Sequence, residues 1–234
     1  MTFVASDNPF KGRHSEGPVI LLCVRWYLRY SLSYRDLKEM MAERGLKIDH
    51  TTIYRWVQRY APELEKRCKP HLRPTNDSWR VDETYIKVKG EWKYLYRAVD
   101  SIGNTLEFLL SQNRDTQAVK QFFKKLLKAS HTCTPRVINV DQNPSYPKAF
   151  SELKTEGALP QGCDLRPIKY MNNIIEQDHR FIKRRVRPGL GFYSFETAWR
   201  TLQGYETMQM IRKGQTGARE SQVAFIEGLF GLAA

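Results

Sequence analysis

Three acidic residues lie on three separate predicted elements between residues 79 and 186. Asp82 is in the middle of a predicted strand, Asp141 directly follows a short apolar strand, and Glu176 is on a predicted helix. Carboxylates that converge from different elements can hold two Mg²⁺ ions about 3.5–4 Å apart, because hard cations prefer oxygen ligands. One ion activates an attacking oxygen and the other stabilises the leaving oxygen. These residues are therefore candidate metal ligands for phosphoryl transfer.

The two aspartates differ in local context. Asp82 interrupts a run of β-forming residues, where aspartate is locally unfavourable, and this favours a functional interpretation. Its neighbour Glu83 faces the opposite side of the sheet, because strand side chains alternate, and is interpreted as solvent-facing or structural. Asp141 ends a buried strand, where sheet proteins commonly place ligand groups. A turn or cap role ahead of Asn143 and Pro144 explains Asp141 equally well.

On the helix that carries Glu176, helical geometry places most of the polar residues on one face. At about 100° per residue, one face carries Asn173, Glu176, His179, Arg180 and Lys183. Asp178 lies about 200° from Glu176 and cannot share its site. Glu176 is thus the candidate ligand, and Asn173, Arg180 and Lys183 are candidate contacts to DNA phosphates. A solvated face with Glu176 paired to Arg180 is the alternative.

The elements that must position these residues form an α/β pattern. From Trp79 the apolar period is two, and it changes to the helical period after the third strand. The predicted elements are strands over 79–88, 91–100 and 105–112, a helix over 115–129, a strand over 136–140, a helix over 145–153, a strand over 164–170 and a helix over 173–186. This order predicts a mixed sheet with helices packed on its faces. Asp100, which ends the second strand, is interpreted mainly as a turn residue.

Three short helices precede this region. Pro18 opens the first, Ser33 is placed to cap the second with Asp36, and the third runs from Asp49 to about Tyr60, where Pro62 is expected to stop it. A tight turn before the last helix is typical of a helix-turn-helix DNA-binding module. An ordinary three-helix cap with a charged exterior is the alternative.

The third helix separates into two sides. Its apolar stripe, predicted to be buried, consists of Ile53, Trp56, Val57 and Tyr60. The side predicted to face outward, and to meet phosphates and base edges, consists of Thr51, Tyr54, Arg55, Gln58 and Arg59.

The charge balance points to a polyanion as partner. The chain of 234 residues has 38 Lys and Arg against 25 Asp and Glu, a net charge of +13. Such a surplus is typical of proteins that bind nucleic acid, although a solvated basic surface is the simpler alternative. The longest apolar run is too short for a membrane span. Four scattered cysteines fit free thiols in a reducing compartment, which favours the cytoplasm.

These patterns predict five segments. They are an N-terminal arm over 1–17, a helix-turn-helix domain over 18–63, a basic linker over 64–78, a catalytic domain over 79–215 and a C-terminal tail over 216–234. The tail is apolar enough to dock on the body of the protein or on a partner subunit.

Taken together, the residues resemble the bacterial insertion-sequence-six family of DDE transposases. The matching stretches are Asn8–His14, Ser33–Leu37, Asp49–Val57, Asp82–Tyr85, Tyr94–Asp100, Ile168–Tyr170 and Asn172–Glu176. Asp141 and Glu176 enclose 34 residues, the spacing that typifies this family, and Lys183 follows seven residues after the glutamate, where the family carries Lys or Arg. The sequence departs from the family after Asp141, where Gln142-Asn-Pro replaces the more usual Lys-Ala-Pro. This departure puts nearby DNA contacts in doubt.

The resemblance implies a ribonuclease-H-like catalytic domain behind a helix-turn-helix that recognises terminal inverted repeats. It implies Asp82, Asp141 and Glu176 as ligands of two Mg²⁺ ions, for which Mn²⁺ can substitute. Metal-dependent strand cleavage and strand transfer would then join the element to target DNA and form cointegrates. A dimer or larger assembly, associated with the nucleoid, is implied by the pairing of two DNA ends.

Two rival interpretations stay open. One is a related metal-dependent integrase or nuclease that acts on other DNA. The other is a DNA-binding regulator whose catalytic domain is inert.

Overall fold

In the computed structural model, residues 9–12, 14–168, 173–188 and 191–232 are described, with the backbone alone for residues 173 and 174. The chain divides into two compact units. The helical unit comprises Met1–Leu72 and Arg184–Ala234, and the sheet unit comprises Arg73–Lys183. Among the described helices, none combines the length and the apolar character that a membrane crossing requires.

The helices and strands follow the predicted order in the sheet unit. The helices are α1 (Gly17–Arg29), α2 (Tyr34–Ala42), α3 (His50–Cys68), α4 (Thr116–Lys128), α5 (Ser145–Thr155), α6 (Asn173–Val186), α7 (Phe195–Arg212) and α8 (Gln222–Leu229). The strands are β1 (Ser78–Val88), β2 (Glu91–Asp100), β3 (Thr105–Ser111), β4 (Val137–Val140) and β5 (Asp164–Pro167). The last predicted strand is shorter than expected, and its residues 169 and 170 lie outside the described residues.

The five strands form one mixed sheet in the order β3-β2-β1-β4-β5. The pairs β1–β2 and β2–β3 are antiparallel, whereas β1–β4 and β4–β5 are parallel. The predicted mixed sheet with flanking helices is therefore confirmed. Because β4 runs parallel to the first residues of β1, the carboxyl end of β4 lies beside the middle of β1.

The core of the sheet unit is formed by the apolar faces of its strands and helices. Trp79 and Val81 project from the same face of β1 and are fully buried. They belong to one cluster with Phe122 and Phe123 of α4 and Tyr146 of α5. Because side chains alternate along a strand, α4 and α5 cover the face of β1 that carries the odd-numbered residues. The even-numbered residues, Asp82 among them, face the other way.

The N-terminal helices begin where the sequence predicts. Ser33 and Asp36 form a reciprocal capping box at the start of α2, and Asp49 caps α3 by accepting from the Thr51 backbone N–H at 2.9 Å. The predicted stop at Pro62 is wrong, since α3 continues to Cys68. Leu64 and Cys68 are buried, so packing beyond the proline outweighs the hydrogen bond that it removes.

The division into units differs from the expected segments. The first residues of the expected linker over 64–78 belong to α3, and a short 3₁₀-helix, Lys69–His71, follows. Helix α7, expected within the catalytic domain, belongs to the helical unit with α1 and α3. The C-terminal tail docks on this same unit, because the Arg67 guanidinium donates to the Leu229 carbonyl at 2.9 Å and the Phe230 ring lies against Tyr60.

Gly204 allows α7 to pack closely on α1 and α3. A Cβ at this position would lie 2.7 Å from the Cβ of Ala61 and 2.7 Å from a Leu28 methyl group. We therefore expect Gly204→Ala to lower the free energy of unfolding by about 1–3 kcal/mol, as overpacked cores do. Chemical denaturation measures the change. Gly162→Ala is the control, since nothing lies within 4 Å of its added Cβ, and equal stability of the two variants would contradict this packing.

Candidate active site

The parallel register of β1 and β4 brings two candidate ligands side by side. Arg80 of β1 pairs with Asn139 of β4, and two further residues along both strands place Asp82 beside Asp141. Oxygen atoms of Asp82, Glu83 and Asp141 all lie within 4.8 Å of one another. This carboxylate cluster, defined as Asp82, Glu83 and Asp141, is compact enough to share a cation.

Asp141 combines both roles that its sequence context allows. Its Oδ1 accepts a hydrogen bond from the Asn143 backbone N–H at 3.0 Å, which forms the expected turn. At the same time its carboxylate belongs to the cluster. Burial raises the pKa of the Asp141 carboxyl, and the nearby negative charges of Glu83 and Asp82 raise it further. A cation bound here would offset that repulsion and favour the ionised carboxylate.

Glu83 is a structural hub. Its side chain is only 2% exposed, so the solvent-facing interpretation is wrong and the structural one is confirmed. Oε1 accepts from the Arg114 guanidinium at 2.6 Å and from the Asn143 amide at 3.2 Å, and Oε2 accepts from the Tyr146 hydroxyl at 2.5 Å. Burial and the Glu83 charge raise the pKa of Tyr146 well above its ordinary value, so the phenol stays a donor. Glu83 thus ties β1 to the turn that holds Asp141.

Asp82 lies on the opposite face of β1, where α6 contacts the sheet. Its register partner Arg97 donates to Asp178 at 2.6 Å, and both side chains are buried. His179 of the same helix lies with Nε2 3.2 Å from Asp82 Oδ2. The buried ion pair therefore fixes α6 against β2, at the residue that pairs with Asp82 of β1. Asp178 is used in this pair and not in the carboxylate cluster.

Glu176 is exposed on α6, one turn before His179. Among the described residues, the carboxylates that lie within 4.8 Å of one another do not include it. Positions three apart are neighbours on a helix surface, so Glu176 lies next to the residue that contacts Asp82. Arg180 and Lys183 are exposed on the same helix. The side chain of Asn173 lies outside the described residues.

The outward side of α3 is largely as predicted. Thr51, Arg55 and Arg59 are exposed, and Tyr54 is half-buried against Tyr34. Gln58 is different, because it is buried and its amide donates to Thr201 of α7 at 2.9 Å. The prediction that Gln58 faces outward is therefore wrong.

Two residues near these sites escaped sequence reasoning. Arg200 of α7 lines an open groove together with Arg55 and Arg59. Arg114 lies 3.9 Å from Asp141 and is 38% exposed. The sequence offers no signal for either, because each is brought to its site by packing between distant segments.

Comparison with solved structures finds retroviral integrases. The catalytic core domain of the HTLV-2 integrase, in complex with magnesium, is 18% identical, with a TM-score of 0.40 over 50% of this chain and 73% of that one. The catalytic core domain of BIV integrase is 17% identical, with a TM-score of 0.41 over 54% of this chain and 80% of that one.

Comparison with curated proteins finds bacterial transposases. The transposase for the insertion sequence-like element IS431mec of Staphylococcus aureus (strain N315) is 42% identical over 207 residues, which cover 88% of this chain and 89% of that protein. The transposase for insertion sequence element IS257 in transposon Tn4003, also from Staphylococcus aureus, has the same identity and coverage. The family model described as a DDE domain matches residues 76–215. The chain belongs to the insertion-sequence-six family of DDE transposases.

Proposed function

We propose that this DNA transposase cleaves DNA at the terminal inverted repeats of an insertion sequence and transfers the ends to target DNA, with Asp82, Asp141 and Glu176 as the metal ligands. The observation that carries the proposal is the carboxylate cluster, in which strand register places Asp82 beside Asp141. Carboxylate oxygens at this spacing fit hard divalent cations. When bound, two Mg²⁺ ions, or Mn²⁺ in their place, supply charge stabilisation at both the attacking and the leaving oxygen.

Glu176 is a better third ligand than Glu83. The oxygens of Glu83 already accept hydrogen bonds from Arg114, Asn143 and Tyr146. If the Glu83 carboxylate turned to a metal ion instead, the partly buried Arg114 guanidinium would lose its counter-charge. Glu176, by contrast, is exposed on α6 next to His179, and α6 is anchored beside Asp82 by the buried ion pair. The role of Glu83 is then to position Asp141 and Arg114.

Exposed cations on α6 would hold the DNA backbone. Arg180 and Lys183 lie on α6 beyond Glu176, and we assign them, with Asn173, to phosphate contacts. In the helical unit, Thr51, Tyr54, Arg55 and Arg59 are assigned to recognition of the terminal repeat. Gln58 is assigned a packing role. Pairing of two ends requires a dimer or larger assembly, which acts on the bacterial chromosome in the cytoplasm and yields cointegrates.

The proposal predicts metal-dependent joining by the purified chain. A labelled duplex that ends in the terminal repeat of the encoding element and a plasmid target are incubated with the protein in Mg²⁺. We expect joined product in Mg²⁺ or Mn²⁺ and none after chelation with EDTA, because the charge stabilisation by the metal is lost.

The same assay separates the rival functions. If the protein cleaves DNA without joining it, and without selectivity for the repeat, the result would favour a nuclease over a transposase. Selective binding without cleavage or joining would favour the inert regulator.

A further inference from the structure

The tip of the β1–β2 hairpin carries an unusual solvent-exposed face. Tyr85 pairs with Tyr94 and Lys87 pairs with Trp92 across the two antiparallel strands. Trp92 is 60% exposed and Tyr85 is 43% exposed. We call these four residues, Tyr85, Lys87, Trp92 and Tyr94, the aromatic strip. The exposed face of such a hairpin is normally polar, so two exposed aromatic rings on it, beside the half-buried Tyr94, require an explanation.

The opposite face of the same hairpin does not offer that explanation. Ile86 and Val88, which alternate with Tyr85 and Lys87, are buried at 2% and 3% exposure. The hairpin therefore already has an apolar face turned inward. Within the strip, Tyr94 packs against the core of the sheet unit, whereas the exposed rings of Tyr85 and Trp92 are additional to what the fold needs.

The strip combines exposed aromatic rings with a cation. The rings of Tyr85 and Tyr94 lie 5.4 Å apart between centroids and are tilted by 57° to each other, and the Lys87 ammonium lies 5.3 Å from the centroid of the Trp92 ring. Flat ring faces combined with positive charge are the features with which proteins hold unpaired nucleic-acid strands, since bases stack on the rings and phosphates contact the cations.

The strip lies on the same face of β1 as Glu83, one member of the carboxylate cluster. Tyr85 and Glu83 project from the same face of β1, about 7 Å apart along the strand. Arg114 donates to Glu83 at 2.6 Å, lies 3.9 Å from Asp141 and interacts electrostatically with Tyr85. A strand whose bases lie on the aromatic strip would therefore bring a phosphate to the partly exposed Arg114 guanidinium at the Glu83 side of the cluster.

We propose that the aromatic strip binds unpaired bases of the DNA strand that enters the carboxylate cluster. The inference rests on the proposed function and names the state of the substrate, a locally melted duplex end, that this site takes. A paired duplex hides its base faces, so the strip distinguishes melted from paired ends. Lys87 within the strip and Arg114 near Tyr85 favour a polyanion over an apolar protein partner.

The test uses the full chain without divalent metal and two duplexes of equal length and charge. One is fully paired, and the other has four mismatched pairs at one end. We expect wild type to prefer the mismatched end by about tenfold, the contribution of one stacked base. Trp92→Ala and Tyr85→Ala should abolish the preference, while Trp92→Phe keeps most of it. Ile102→Ala, which removes an exposed apolar side chain at the β2–β3 turn, is the matched control and should keep the full preference.

Binding measurements can contradict the role of the aromatic strip in two ways. Equal binding of both duplexes by wild type, or an undiminished preference in both alanine variants, would overturn the proposal. Loss of self-association in those variants with unchanged DNA preference would assign the strip to a second copy of the chain instead. Binding without metal does not depend on catalysis, so failure of joining in Mg²⁺ counts against the proposed function and not against the strip.

Discussion

Asp82→Asn is expected to reduce strand transfer by at least about a thousandfold while leaving binding of the DNA end within about twofold of wild type. Asp82 supplies a charged oxygen to the carboxylate cluster, and the amide has no charge with which to hold a cation. Loss of metal stabilisation costs several kcal/mol at the transition state, and each 1.36 kcal/mol is about a factor of ten in rate. Joined product in Mg²⁺ measures the first effect, and a gel-shift assay in EDTA measures the second.

The control for Asp82→Asn is Asp164→Asn. Asp164 begins β5, and its side chain is 67% exposed. The Asp164→Asn variant loses the same charge from the same sheet, but outside the carboxylate cluster. We therefore expect this variant to join DNA at the wild-type rate. An Asp82→Asn protein that binds DNA and joins it at more than about a tenth of the wild-type rate would remove Asp82 from the metal site.

Asp178→Ala is expected to lower the free energy of unfolding by about 3–5 kcal/mol. The side chains of Arg97 and Asp178 are 1% and 8% exposed and lie 2.6 Å apart. Removing the carboxylate leaves the guanidinium buried without that counter-charge, which is among the costlier single changes in a protein interior. Urea denaturation of the variant measures the loss.

A double replacement distinguishes the charge from the packing. Arg97→Met with Asp178→Leu removes both charges and keeps apolar volume, so we expect it to be more stable than Asp178→Ala. A loss below about 1 kcal/mol in Asp178→Ala would mean that the pair does not anchor α6.

Local patterns were sufficient for the sheet and for several of its polar residues. A period of two defines β1 to β3, and the single aspartate within β1 stands out against its β-forming neighbours. Asp100 was interpreted as a turn residue, and its carboxylate accepts from the backbone N–H groups of Asn76, Ile102 and Asn104. Capping at Ser33 and Asp49 was equally local. Such interactions lie within a few residues, so sequence spacing encodes most of them.

Contacts between distant segments could not be predicted. Helical geometry predicts the side of α3 on which Gln58 lies. It does not predict that Thr201, 143 residues later, packs on that side, where Gln58 is buried. His179 and Asp82, which are in contact, are 97 residues apart in the sequence. The hydrogen-bond partners of Glu83 are up to 63 residues away from it. Continuation of α3 past Pro62 has the same origin, since a local rule for proline was outweighed by burial of Leu64 and Cys68.

The assignment of the third ligand is the central claim, because Glu83 lies within the carboxylate cluster whereas Glu176 lies one helical turn before His179, which contacts Asp82. The most direct measurement compares joining in Mg²⁺ by wild type, Glu176→Gln and Glu83→Gln, with a labelled terminal-repeat duplex and a plasmid target. We predict joining by wild type, a loss of at least about a thousandfold in Glu176→Gln, and a loss of no more than about tenfold in Glu83→Gln, whose amide still accepts hydrogen bonds. Wild-type activity in Glu176→Gln together with none in a folded Glu83→Gln would contradict the assignment and make Glu83 the ligand.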